Sequence, residues 1–498
     1  MPDVSRDPLV IIGAGPAGLT AARELVVRGV KPVVLDADER VGGLAQTADY
    51  KGFKFDIGGH RFFTKVAPVR DLWRAVLGPD FIRRPRLSRI YYRGRLFQYP
   101  LRPLDALGKL GIGSAIAVLA SYLRVKLFPI RPEVSFADWV SNRFGRKLYG
   151  IFFESYTEKV WGTPGTEISA QWAAQRIKGL SLRTAILDML RPAARRNGAG
   201  VVTTLIGEFE YPRFGPGMMW EAFRREVEAG GGRVELNARV TGLGHDGTRI
   251  TSVVVEQGGE TVRRPAGHVI STMPIRELVN GFDPPAPPDV VAAANHLKYR
   301  DFITVALIVD AADVFPDNWI YVHEPSVRVG RLQNFKNWSP DMVPDRSKTC
   351  LGLEYFCNEG DNLWAMSDAG LLALGRRELA ELKLVDADRI LDGTVIRMKK
   401  AYPVYDDGYE DALATVRTYV DRFDNLQLVG RNGMHKYNNQ DHSMVTAMLA
   451  VRNLFGEAHD LWAINAEDEY HEELSSTAPD LDLAALRATQ PYVPRRAG

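Results

Sequence analysis

A chain of 498 residues is long enough for two or three domains around sizeable cores, and its 45% apolar and 25% charged content is that of an ordinary globular protein. A net charge of +2 gives no global argument for nucleic acid or an acidic surface as partner. Two cysteines, Cys350 and Cys357, without CxxC or metal-ligand spacing, argue against a disulfide framework and suit a reducing compartment.

Leu9 to Ile12 is an apolar run that meets Gly13, Gly15 and Gly18 in GAGPAGL, then a helical pattern, then a second apolar run ending at Asp36. A strand turning through such glycines into a helix is a dinucleotide-binding pattern. Gly13 permits the tight turn, Gly15 lets backbone approach a pyrophosphate at the helix N-terminus, and Gly18 lets the helix pack on the strand. Asp36 closes the second strand, where a carboxylate takes a ribose hydroxyl. The pattern starts by residue 8, which leaves no room for a secretory signal, so a cytoplasmic protein is expected.

Residues 67–102 read as a short helix and then a hairpin, RIYYRGRLFQYPL, turning at Arg93 and Gly94. The stretch LDALGKLGIGSAIAVLASYLRVKLFPI within 103–130 has an uninterrupted apolar part short of the roughly 20 residues a bilayer span needs. It is expected to be a helix buried in a helical domain. The alternative is peripheral membrane contact, a monotopic helix whose Lys109, Arg124 and Lys126 meet headgroups. Residues 133–195 read as several helices, with Ser135 and Asp138 as a cap. A glycine-rich turn into a helix and alternating strands fill 201–290. Residues 300–400 hold further strands that fit a mixed sheet, with helix expected over 365–395, and DHSMVTAMLAVRNLFG reads as a closing helix.

Six ordered stretches carry a resemblance: GAGPAGL, DIGGHRFFT, YYRGRLFQYPL, KLYGIFFESYTEKVWGTPGTEISAQWAAQRI, KKAYPVY and VGRNGMHKYNNQDHS. Together they resemble the UDP-galactopyranose mutase-like flavoprotein superfamily, related to amine oxidases, protoporphyrinogen oxidases and phytoene desaturases. The resemblance implies an α/β fold. Its Rossmann-like FAD-binding domain is discontinuous (1–100, 201–290 and 401–470), joined to a helical domain (101–200), a mixed antiparallel-sheet substrate domain (291–400) and a tail (471–498).

The resemblance also implies FAD as cofactor, held by Gly13, Gly15, Gly18 and Asp36, by Gly42, Gly43, Gly59 and His60, and by Val240, Gly430, Arg431, Asp441 and Ser443. It implies chemistry on a nucleoside diphosphate sugar by nucleophilic attack from N5 of the reduced flavin, with no net redox change and with NAD(P)H as a candidate reductant. Arg176 matches an arginine that grips the pyrophosphate, in keeping with the bidentate fork of a guanidinium. Tyr437 matches a hydroxyl donor near phosphate or flavin, Trp161 a wall of the sugar pocket, and His60 an imidazole at the flavin edge. Tyr156 and Asn439 are further candidates. The sequence departs from the family where a second phosphate-binding arginine is expected: ALIVDAADVF puts Asp310 there, and a carboxylate would repel a pyrophosphate. Arg300, Arg328 or Arg331 are the candidate substitutes, and Lys436 stands where the last motif has an arginine. An FAD-dependent oxidoreductase acting on a lipid, polyprenoid or sugar derivative is the alternative left open.

Overall fold

The structure, a computed structural model, describes residues 8–99, 101, 103–170 and 207–465. Its nucleotide-binding sheet has five parallel strands, in the order Leu426–Leu428, His268–Ser271, Leu9–Ile12, Val33–Leu35 and Arg233–Glu235. Three distant stretches of chain therefore build one sheet, as the discontinuous reading requires. All four residues of the first strand are buried, which is why it reads as a continuous apolar run and not as an alternation. Helix Pro16–Val27 packs on this sheet and helix Gln440–Leu454 packs on that helix, in a shared core that includes Leu19, Leu25, Met444 and Val451.

A second, seven-stranded sheet stands beside it, in the order Ile390–Pro403, Tyr299–Val309, Thr349–Cys357, Arg331–Asn334, Trp319–Val322, Ser88–Tyr92 and Arg95–Gln98. The last two strands are the expected hairpin. Arg93 (φ 50°) and Gly94 (φ 72°) both take left-handed backbone at its turn, the pairing a tight hairpin favours. The hairpin joins the large sheet through a parallel pairing of Ser88–Tyr92 with Trp319–Val322.

Helix was expected through residue 395. It ends at Glu381, and Ile390–Pro403 is a strand running antiparallel to Tyr299–Val309. Thr394, Val395 and Ile396 form a β-branched run, and the fully buried strand beside them offers a row of backbone partners that outweighs local helix propensity.

The apolar stretch after the hairpin also differs from expectation. It forms two helices, Pro103–Leu110 and Ile112–Leu127, broken at Gly111 (φ 85°). The second is not sunk in a helical core: it buries Val118, Tyr122 and Val125 and turns its other apolar face outward. The aromatic core of this region comes instead from helices Phe136–Phe144 and Arg146–Phe152, with Trp139, Phe144, Tyr149 and Phe152. Ser135 caps the first of these, and Asp138 completes the capping box. Cys350 and Cys357 are both free and buried on one strand.

Candidate active site

Four stretches converge on a cavity of about 710 Å³: the glycine turn after the first strand, the loop Gly58–Arg61, one end of the large sheet, and the loop Gly430–Asn439 leading into helix Gln440–Leu454. The glycines of the first turn differ in what demands them. A Cβ on Gly13 (φ 98°) would lie 2.0 Å from Thr272 Oγ1, and one on Gly18 would lie 1.8 Å from the Gly13 carbonyl oxygen. The fold itself requires both to be bare. Gly15 has an ordinary φ of −79°, and the nearest atom to a Cβ there is Gly43 Cα at 3.8 Å. Its side chain is missing where only a ligand would need the space.

Asp36 lines the same cavity, accepting hydrogen bonds from the amides of Ala14 and Asp38. Burial raises its pKa, and the two amides oppose that shift. A dinucleotide fits these residues, with its diphosphate over the first turn of helix Pro16–Val27 and a ribose at Asp36. Gly43 lines the cavity opposite Gly15, while Gly42 (φ 109°) stands against Trp220.

Gly59 and His60 bring their loop to the cavity, where a Cβ on Gly59 would collide with the Gln333 amide at 2.7 Å. His60 Nδ1 lies 2.9 Å from the Gly58 carbonyl, which can only accept, so Nδ1 carries the proton and Nε2 keeps its lone pair. Burial, helped by the charges of Arg431 and Arg331, pushes the His60 pKa down to about 4. The imidazole is neutral near pH 7: it can accept a proton but has none to spare as an acid.

The Gly430 loop (φ 81° at Gly430) fixes a cation in the cavity. Arg431 donates from Nε to the Asn438 carbonyl and from a terminal nitrogen to that of Ala401, both at 2.9 Å. Its guanidinium lies 4.7 Å from the centre of the Tyr437 ring and 5.7 Å from that of Tyr402, and these two rings stack 5.7 Å apart. Asn439, Asp441 and Ser443 line the cavity where helix Gln440–Leu454 begins. Lys436 has a different task from the arginine of the family motif: its ammonium donates to the carbonyls of Trp462 and Ile464, strapping residues 462–464 to the loop.

At the large sheet the cavity meets a buried polar network. Glu354, with no exposed surface, pairs with Arg331 at 2.7 Å and accepts from Gln333 at 2.9 Å. Arg331 also donates to the Tyr402 hydroxyl at 2.7 Å, and the Trp338 indole donates to Gln333 at 3.1 Å. Arg61 sits over the Trp319 ring at 5.8 Å, and Tyr321 continues that wall.

Of the three arginines named as substitutes, only Arg331 lines the cavity. Arg300 is held by the carbonyls of Val160 and Phe356, and Arg328 is exposed, with its amide donated to Glu378. The objection raised by Asp310 falls. It is exposed at the far end of strand Tyr299–Val309, eight residues beyond the cavity-lining Phe302, or about 26 Å along an extended strand.

Trp161 meets the edge of Tyr402, and Tyr156 stacks on His323 and meets the edge of Tyr321. Both stand one layer behind the lining. Val240 is buried in strand Ala238–His245 and is not a lining residue. Arg176 and the tail 471–498 lie outside the described residues. Sequence reasoning missed Arg61, Trp319, Gln333 and Glu354. Glu354 had a signal, as the one charge in the otherwise apolar and hydroxylic strand TCLGLEYFC; Arg61 adjoins His60; Trp319 and Gln333 had none.

Buried histidines give the protein an acid-sensitive signature. Burial pushes His435 down to about 4 and His323 to about 3. Below the unfolded value near 6.5, the unfolded chain takes up protons that the folded protein refuses. The stability these groups give is full above that pH and is lost as pH falls toward 4, at up to about 1.4 kcal/mol per pH unit for each histidine. Melting temperatures should fall steadily from pH 7 to pH 5, and His323→Gln should flatten the slope. A flat profile in the unaltered protein would show that these imidazoles take up protons in the folded state as readily as in the unfolded chain.

The turn, the carboxylate below it and Gly43 opposite define a dinucleotide-binding site. The chain belongs to the flavin-containing amine oxidoreductase family, whose model matches residues 16–438, and it is a flavoenzyme with FAD as its cofactor. It is similar to AofH of Mycobacterium tuberculosis, a protein named for flavin-containing monoamine oxidase, at 27% identity over 311 residues; the match spans 58% of this chain and 62% of that relative. Putrescine oxidase of Kocuria rosea is 48% identical over 56 residues, 11% of this chain and 12% of the relative. Among solved structures, reduced UDP-galactopyranose mutase shares the fold with a TM-score of 0.78 at 21% identity, over 92% of this chain and 98% of that one. Putrescine oxidase bound to putrescine shares it with a TM-score of 0.58 at 16% identity, over 91% and 99%.

Proposed function

We propose that the protein is a flavin-dependent isomerase of the mutase kind that acts on a nucleoside diphosphate sugar, with its flavin in the reduced state and NAD(P)H as the source of electrons. The observation that carries this reading is the pair of guanidinium groups, Arg331 and Arg61, on an aromatic wall that adjoins the dinucleotide cradle. Guanidinium forks suit a pyrophosphate, and Trp319 and Tyr321 offer rings for a base or a sugar face. A cavity lined by these cations with Gln333 and Asn439 suits a polar, anionic substrate better than a lipid. The likeness to UDP-galactopyranose mutase points the same way.

FAD, when bound, supplies a ring that serves as nucleophile if reduced and as hydride acceptor if oxidised. The chain's own residues hold and steer. Arg431 places a fixed positive charge beside Tyr402 and Tyr437, where negative charge on a neighbouring group is stabilised. His60 offers the Nε2 lone pair to a sugar hydroxyl that must lose a proton. Tyr437 and Asn439 contribute donors from the loop that leads into helix Gln440–Leu454, and Arg176 is the further arginine of the diphosphate clamp. Trp161 and Tyr156 support the lining from behind, and the domain limits given above stand as part of this proposal.

The family match and the likeness to AofH favour a second reading, a net oxidoreductase. One experiment separates the two. The protein is reduced anaerobically, offered a panel of nucleoside diphosphate hexoses, and the mixture separated by chromatography while the flavin spectrum is followed. A new product of unchanged mass with the flavin still reduced is the expected result. No product from the reduced protein, with bleaching when the oxidised protein meets a substrate, would replace the mutase by an oxidoreductase.

A further inference from the structure

The outward face of helix Ile112–Leu127 is a surface without a partner in the described chain. Ile112 is 84% exposed, Ile116 64%, Leu119 49%, Leu123 53% and Leu127 74%, and Phe128 continues the row at 75%. At about 100° per residue the five aliphatic side chains of the helix fall within an arc of about 80°, a single stripe on one face. The opposite face is already used, by Val118, Tyr122 and Val125 against the aromatic core. A soluble surface scatters its large apolar side chains singly; a row this long marks an interface.

The charges choose the occupant. The helix carries no acidic residue, and its basic residues, Arg124 and Lys126, stand in the last turn, with Lys109 just before the break at Gly111. A second copy laid antiparallel on this stripe would bring Arg124 and Lys126 against the other copy's Lys109–Asp105 pair, which has no net charge to offer them. The acid nearest that end, Asp105, is already paired with Lys109. A parallel copy would set like charges side by side. An anionic lipid surface satisfies both features at once, taking the stripe among its acyl chains and the exposed Arg124 guanidinium among its phosphates, with the Lys126 ammonium, which donates to the Asn142 carbonyl at 3.1 Å, close behind. At 16 residues the helix cannot cross a bilayer, and no described helix is long and apolar enough to do so.

We infer that helix Ile112–Leu127 docks the protein on anionic membrane surfaces, lying in the plane of the interface with the Ile112–Leu127 stripe buried. The inference rests on this face alone, independently of the reaction proposed for the cavity.

The test uses the full-length protein with its flavin and vesicles of phosphatidylcholine, with or without phosphatidylglycerol, in a flotation assay. The protein is expected to float with the mixed vesicles, less with phosphatidylcholine alone, and less again as salt is raised. Ile116→Ser/Leu123→Ser, at two exposed positions, should weaken the partition on the order of tenfold or more while the flavin content and melting curve stay unchanged. Arg124→Glu should weaken binding to the mixed vesicles only. Protein that stays unbound at all lipid compositions overturns the inference. In that case a concentration-dependent dimer abolished by the serine pair would assign the face to a second copy, and a monomer whose stripe is shielded from proteolysis or labelling would assign it to another part of the chain.

Discussion

Replacing Gly15 by valine is expected to yield a folded protein without flavin. The prediction rests on the contrast among the glycines of one turn. Gly13 needs left-handed backbone, and Gly18 touches the Gly13 carbonyl, so side chains at either strike the protein itself. Gly15 has a φ open to any residue and no protein atom closer than 3.8 Å to a Cβ. The backbone and the Cβ of a valine are accommodated there, and its γ-methyls, placed beyond that Cβ, intrude on the space for a diphosphate. Overpacking of that kind costs on the order of 3 kcal/mol or more, a hundredfold or greater loss of FAD affinity. Flavin absorbance per protein and near-ultraviolet circular dichroism read the two halves separately. Full flavin content would sink the dinucleotide placement; loss of the dichroism signal would mean that Gly15, too, serves packing. Gly18→Ala is the comparison variant, expected to lose fold and flavin together.

Arg331→Met is expected to lower stability by about 3–5 kcal/mol, the usual cost of leaving one partner of a buried ion pair alone. Glu354 has no exposed surface, and without Arg331 its charge keeps only the Gln333 amide. Adding Glu354→Gln removes that charge while leaving an oxygen for Gln333, so the double variant should regain most of the lost stability. It should not regain affinity for a nucleoside diphosphate sugar, because the guanidinium is still gone. Denaturant melts and equilibrium binding on both variants test this. A single variant as stable as the parent would show that Glu354 does not depend on Arg331. Restored binding in the double variant would remove Arg331 from the list of substrate contacts.

What was legible in the sequence follows from the range of the forces involved. Gly13, Gly15, Gly18 and Asp36 could be read because a turn, a helix start and a strand end are set by residues close in sequence. The hairpin at Arg93 and Gly94 was readable for the same reason, and so was the cap at Ser135. The Arg331–Glu354–Gln333 network was not. Its members sit on paired strands whose register fixes which side chains meet, and no local pattern encodes that register. Strand Ile390–Pro403 was misread as partly helical because its conformation is decided by Tyr299–Val309, far away in the chain. Helix Ile112–Leu127 misled in another way: its composition is that of a buried helix, and only packing shows which apolar face is covered.

The five-stranded sheet has a temporal side. Its first strand, Leu9–Ile12, leaves the ribosome early, yet the neighbour on one side is His268–Ser271, and beyond that lies Leu426–Leu428. Until those later stretches emerge, the early strand and its glycine turn have an unpaired apolar edge, the kind of surface that aggregates or recruits chaperones. Long-range parallel pairing is also slow to find. The cofactor cradle is therefore among the last features to form. A ligand that binds only the completed sheet then acts as a latch, holding the assembled state by mass action. In a cell short of flavin, such a chain would be made at the normal rate and lost to proteolysis, so its abundance would track its cofactor supply.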